Sequence, residues 1–185
     1  MTHPLPMRHC RRLLRSDHGF SISELLVTVA ILGILSGVVI DLGLREWRRE
    51  QVNGVVLQLA GWLQSVRRGA LKGNSCTVSL TPSTLGNGDT LAQVSACGGI
   101  GALQLSGLAA NPRFVVSLRR APDNRFTFTP AGTLSPAPEP DAPIVIEVVL
   151  AGHPDSGRCL QLDGLLAAID VGVSGAERCA VGERF

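Results

Sequence analysis

No tyrosine occurs among the 185 residues, and aromatic side chains make up only 4% of the chain. Stacking platforms for bases or sugar rings are therefore scarce. Charge is also thin at 17%, against roughly 25% in an ordinary globular domain. Set beside 45% apolar residues, that excludes a disordered or heavily charged chain of the kind that coats polyanions. The familiar catalytic patterns are missing as well, with no G-x-S-x-G, no glycine-rich phosphate loop and no H-E-x-x-H. Three of the four histidines lie in the first 19 residues, which leaves His153 alone downstream. A zinc set is not available from them; calcium is harder to exclude, though Asp141, Asp155, Asp163 and Asp170 are scattered rather than clustered in one oxygen-rich loop. The chain reads as a non-enzyme that needs no metal or cofactor.

What is present is uneven. Residues 1–19 carry Arg8, Arg11, Arg12 and Arg15 against Asp17, a local charge of +3 that leaves −1 for everything after it. From Phe20 to Ile40 the sequence FSISELLVTVAILGILSGVVI contains Glu24 as its only ionisable side chain. As a helix rising about 1.5 Å per residue, this run is about 31 Å long and matches the hydrocarbon core of a bilayer. Soluble helices seldom stay apolar on every face for that distance. A cleaved secretory signal fits poorly, because the run exceeds an h-region and no A-x-A-like site precedes Asp41 and the segment REWRRE.

Basic residues flank the run four to three, Arg45, Arg48 and Arg49 being on the far side, so charge alone sets the topology weakly. The cysteines add to it. Cys10 sits in the leader, whereas Cys76, Cys97, Cys159 and Cys179 all follow the run, an even number suited to two disulfides in an oxidising compartment. That orientation puts the amino terminus in the cytoplasm and the long C-terminal part on the exported side.

Glu24 is costly in a membrane unless it lies at an edge or has a partner. It follows Gly19-Phe20-Ser21-Ile22-Ser23, with an arginine-rich leader before and an unbroken apolar run behind. This combination resembles the cleavage and methylation signature of type IV prepilins and pseudopilins. The resemblance implies that a membrane-embedded prepilin peptidase cuts between Gly19 and Phe20 and that the new amine of Phe20 is methylated. It implies further that Glu24 serves assembly, pairing with the Phe20 amine of a neighbouring subunit. Ser23 and Asp41 depart from the family's usual aliphatic residue and helix-bending proline. Gly33 and Gly37 form a G-x-x-x-G that lets helix backbones approach.

Past the membrane, Val52, Val55, Val56, Leu59, Leu63, Val66 and Ala70 recur at spacings of three and four, which predicts an amphipathic helix ending at Gly73-Asn74. Beyond it the texture is β, with expected strands at 76–80, 91–96, 113–118, 125–129, 144–150, 158–162 and 166–173. The turn signals Asn87-Gly88 and Gly88-Asp89 predict a hairpin between the first two strands. Cys76 and Cys97 lie symmetrically about that turn, so they are expected to pair across it, leaving Cys159 for Cys179. Residues 130–143 hold five of the eleven prolines and read as a stiff exposed loop.

The fold expected is α+β and pilin-like: a leader over 1–19, a membrane-spanning assembly helix over 20–41, an amphipathic extension over 42–73 and an antiparallel β head over 74–185. Two segments, GWLQSVRRGALKGNSCTVSL and RFTFTPAGT, resemble H-type pseudopilins of type II secretion and the related FimT-like minor pilins. In the second, Phe128 is expected to be buried and Gly132 to relax a turn. The resemblance implies a structural subunit of a type IV pilus or secretion pseudopilus at the bacterial inner membrane. Its implied partners are other pilin or pseudopilin subunits in a helical filament, the prepilin peptidase, an inner-membrane assembly platform and the lipid bilayer. The rival is a DNA-binding minor pilin of a competence pilus, for which Arg67, Arg68, Arg119 and Arg120 are the DNA-contact candidates.

Overall fold

The computed structural model describes residues 21–108, 111–138, 143–163, 166–175 and 179–182. The leader with Cys10, the Gly19-Phe20 junction, Pro140 and Asp141 lie outside them. The chain divides into two units, residues 1–41 and 42–185. A single helix, α1 (Ile22–Ala70, 49 residues), runs through both.

Within the first unit, the apolar side chains from Ile22 to Ile40 whose surroundings are described are all exposed, as lipid-facing residues are in an isolated chain. The helix is long and apolar enough here to cross a membrane. Two of its three hydroxyls are satisfied by the helix backbone, Thr28 Oγ1 donating to Leu25 O at 2.9 Å and Ser36 Oγ to Leu32 O at 2.7 Å. Neither donor is thereby left facing hydrocarbon.

The second unit is built on the helical face anticipated above. All seven residues of that face are fully buried. Among the described residues eleven strands follow: β1 (Cys76–Leu80), β2 (Thr84–Leu85), β3 (Thr90–Ser95), β4 (Leu103–Gln104), β5 (Phe114–Arg119), β6 (Arg125–Phe128), β7 (Leu134–Ser135), β8 (Ile144–Leu150), β9 (His153–Asp163), β10 (Ala168–Ser174) and β11 (Cys179–Val181). They form two antiparallel sheets, one ordered β4-β3-β1-β6-β7 and the other β11-β10-β9-β8-β5-β2. Strict alternation drives the burial. In β8, Ile144, Ile146, Val148 and Leu150 face inward while Val145, Glu147 and Val149 face out. Phe126 and Phe128 of β6 meet edge to face at 5.7 Å between centroids in the same core.

Two expectations need correction. The first two long strands do pair antiparallel, Thr77 opposite Ser95, but their connection is not a simple hairpin. It sends Thr84 and Leu85 to the other sheet, opposite Val115 and Phe114, because Leu85 gains burial there. The proline-rich segment likewise contains β7, which pairs with β6 and buries Leu134. The turn between them is closed by Thr129 N–H donating to Thr133 O at 2.9 Å, with Gly132 at φ 78°. Only glycine takes that backbone conformation without cost. Phe128 is buried as anticipated.

Gly172 marks the tightest contact in the second sheet. A Cβ there would lie 2.4 Å from Ala180 O and 3.1 Å from Cys179 Sγ. Gly172→Ala is therefore expected to displace β11 and to cost about 1–3 kcal/mol as an overpacking change, read as a lower chemical-denaturation midpoint. An unchanged midpoint would show that β11 shifts freely.

Candidate functional site

The amino-terminal part of α1 is put together from very local chemistry. Glu24 lies in the first turn of α1, where the positive end of the helix dipole favours a carboxylate. Its side chain is exposed, so it remains available to a second molecule. A Cβ added at Gly33 or Gly37 would meet nothing within 4 Å, which leaves a shallow open stripe about one helical turn long. Both features are exposed. Gly19 and Phe20 precede the described residues.

Both disulfides form as the cysteine positions suggested. Cys76–Cys97 joins residues whose Cα atoms are 4.9 Å apart, and Cys159–Cys179 residues 5.8 Å apart. The first is seated on α1, because a Cβ on Gly69 would fall 2.9 Å from Cys97 Sγ and 2.8 Å from Ile100 Cδ1. It joins β1 to the residues just past β3 and packs beside the end of the helix at Gly69. The second ties β11 to β9 across Gly172.

Of the four arginines considered for DNA contact, Arg120 is exposed just past the end of β5 and the other three are held differently from one another. Arg67 and Arg68 occupy the last turn of α1. Arg67 is half-buried and its Nε has no hydrogen-bond partner, while Arg68 Nη2 donates to Ser65 Oγ at 3.4 Å. Arg119, at the end of β5, is engaged by Glu147, its Nη2 standing 2.9 Å from Glu147 Oε2. Glu147 also accepts from Ser117 Oγ at 3.3 Å and from Ser174 Oγ. Sequence reading missed this carboxylate. Alternation in β8 put Glu147 on the outer face, but its partners come from β5 and β10, 27 to 30 residues away. Among the described residues, no group of three or more His, Cys, Asp or Glu side chains could hold a metal ion.

Residues 14–40 match the family model described as the prokaryotic N-terminal methylation motif. No curated protein matches the chain. Among solved structures, the chain is similar to the type IV minor pilin FimU of Pseudomonas aeruginosa strain PAO1 in two crystal forms. One is 18% identical, with 71% of this chain and 93% of that chain covered and a TM-score of 0.44. The other is 19% identical, with 69% and 95% covered and a TM-score of 0.41.

Proposed function

We propose that this chain is a minor pilin of a type IV pilus, a structural subunit anchored in the inner membrane by α1 and recruited into a helical filament. The methylation motif over residues 14–40 carries the reading, and the outward-facing apolar helix with Glu24 in its first turn supports it. In this proposal a prepilin peptidase cuts after Gly19 and methylates Phe20, and the membrane assembly platform lifts the subunit from the bilayer. The mature Phe20 amine of one subunit then meets the Glu24 carboxylate of its neighbour. In a low-dielectric bundle that pair fixes register, because a slip would strand two charges. The β head faces the periplasm and then the filament surface. A secretion pseudopilus would use the same segment in the same way. A role in DNA uptake would draw on Arg67, Arg68, Arg119 and Arg120, of which Arg119 is already occupied by Glu147.

Glu24→Ala tests the reading. Membrane insertion and leader removal are expected to persist, while the amount of protein in sheared filaments relative to membrane falls about tenfold or more, the equivalent of ~1.4 kcal/mol per subunit. Quantitative immunoblotting of the two fractions reads the ratio. Wild-type incorporation of the variant would make Glu24 a tolerated boundary charge.

A further inference from the structure

We propose that Trp47, with Leu44 beside it, seats in the phospholipid headgroup layer where α1 leaves the bilayer and fixes the depth of the unassembled subunit, a role that rests on the proposed anchoring of α1 in the inner membrane.

Trp47 is the one uncharged residue in the segment Arg45-Glu46-Trp47-Arg48-Arg49-Glu50. It is 45% exposed, Leu44 three residues before it is 47% exposed, and that spacing puts the two on one face of the helix. The head gives them no cover, because the first buried side chain of its core is Val52. Trp62 provides the contrast. This second tryptophan packs against the core and donates its Nε1–H to Gly101 O at 2.9 Å. Among the described residues, nothing accepts from the indole of Trp47.

An indole joins a large apolar ring to a single N–H donor, so it is best satisfied where one side is hydrocarbon and the other is wet. Height along the helix puts Trp47 at such a boundary. Its Cα stands seven residues past Ile40, about 10 Å beyond the apolar run at ~1.5 Å per residue. Long helical side chains lean back over the preceding turn, about 5 Å toward the amino terminus. The ring therefore lies roughly 5 Å outside the hydrocarbon, within a headgroup layer about 5–7 Å thick on each side. The neighbouring charges act in the opposite sense. Arg45, Arg49 and Glu50 are exposed and resist entry into hydrocarbon, while the indole resists withdrawal into water. Depth is held from both directions. The rival cover for Trp47 is a neighbouring subunit, and continuity with the membrane-crossing run favours lipid as long as the chain is unassembled.

The test uses the full processed chain reconstituted in vesicles of phosphatidylethanolamine and phosphatidylglycerol, at a lipid excess that keeps subunits apart, and reads tryptophan fluorescence. One vesicle set carries bromine on the acyl-chain carbons nearest the headgroup, the other near the chain ends. Wild type is expected to lose about half its emission to the shallow bromines, since one of its two indoles is within reach, and at least about twofold less to the deep ones. Trp47→Phe retains only Trp62, fifteen residues and about 22 Å farther along α1, and should lose less than about a tenth with either lipid. Because Trp47 is exposed, this variant leaves the core intact. Extraction of the wild type by alkaline carbonate would overturn the membrane reading and the anchor with it. In a carbonate-resistant chain, emission unquenched by either lipid would assign Trp47 to water or to a neighbouring subunit and overturn the anchor alone. Deep bromines quenching as strongly as shallow ones, or Trp47→Phe quenched like the wild type, would overturn it as well.

Discussion

A chain carrying Gly19→Val is expected to keep its leader and to be missing from filaments, the largest functional loss available from one substitution. In the proposed reading the peptidase accepts glycine at the cut, and a branched side chain there obstructs the approach to the scissile carbonyl. The consequence reaches beyond the cut itself. An uncleaved chain retains the arginine-rich segment, with its local charge of +3, on the cytoplasmic end of the span. Phe20 then contributes an uncharged amide instead of an amine, so the Glu24 of a neighbour has no counter-ion and its burial becomes a net cost of several kcal/mol. Intact mass measurement of membrane-extracted protein reads the outcome. Wild type should begin at Phe20 with one added methyl group, and the variant should retain the arginine-rich residues before it. A wild-type chain found with its leader intact, in cells whose prepilin peptidase is active, would remove the basis of the minor-pilin proposal.

Much of the architecture was legible because it is local. The seven apolar positions from Val52 to Ala70 announce a helical face, and every one is buried. Strands β1 and β8 fall where alternation alone puts them, over Cys76–Leu80 and Ile144–Leu150. The illegible parts are those decided by distant partners. Thr84–Leu85, Leu103–Gln104 and Leu134–Ser135 are two residues each, too short for a period to exist. Strand β9 begins at His153 rather than near Arg158. Pro154 and Gly157 read as breakers, yet Leu150 pairs with His153 past a register shift that absorbs them. The division of the strands into two sheets has no local signature either, since it depends on which distant strands pair, β1 with β6 and β5 with β8. The same limit applies around Glu147. Arg119 reads as a free cation until the fold brings Glu147 beside it, with Ser174 on the same carboxylate.

Removing the Cys76–Cys97 disulfide by double substitution to serine is expected to cost at least about 3 kcal/mol, the largest stability loss foreseen among changes to the head. Two contributions combine. The bond closes a loop with a sequence separation of 21, and releasing a loop of that size returns roughly 3 kcal/mol of chain entropy to the unfolded state. The native side loses as well. Cys76 is fully buried, and the bridge packs on Gly69 of α1 beside Ile100, so two hydroxyls must be accommodated where sulfur filled an apolar seat. For a chain of this length, about 3 kcal/mol lowers the melting temperature by roughly 6–12 °C. Cys159–Cys179 has nearly the same separation, 20 residues, and so nearly the same entropic term. Its structural reach is smaller, because it ties down only the three-residue β11 at the edge of its sheet. Hydrogen exchange on the full chain separates the two. Loss of the first bond should raise exchange throughout the 52–70 segment of α1 and in β1, whereas loss of the second should raise it in β10 and β11 alone. Equal melting shifts with identical exchange patterns would show that the first bridge does not anchor the helix to the sheet.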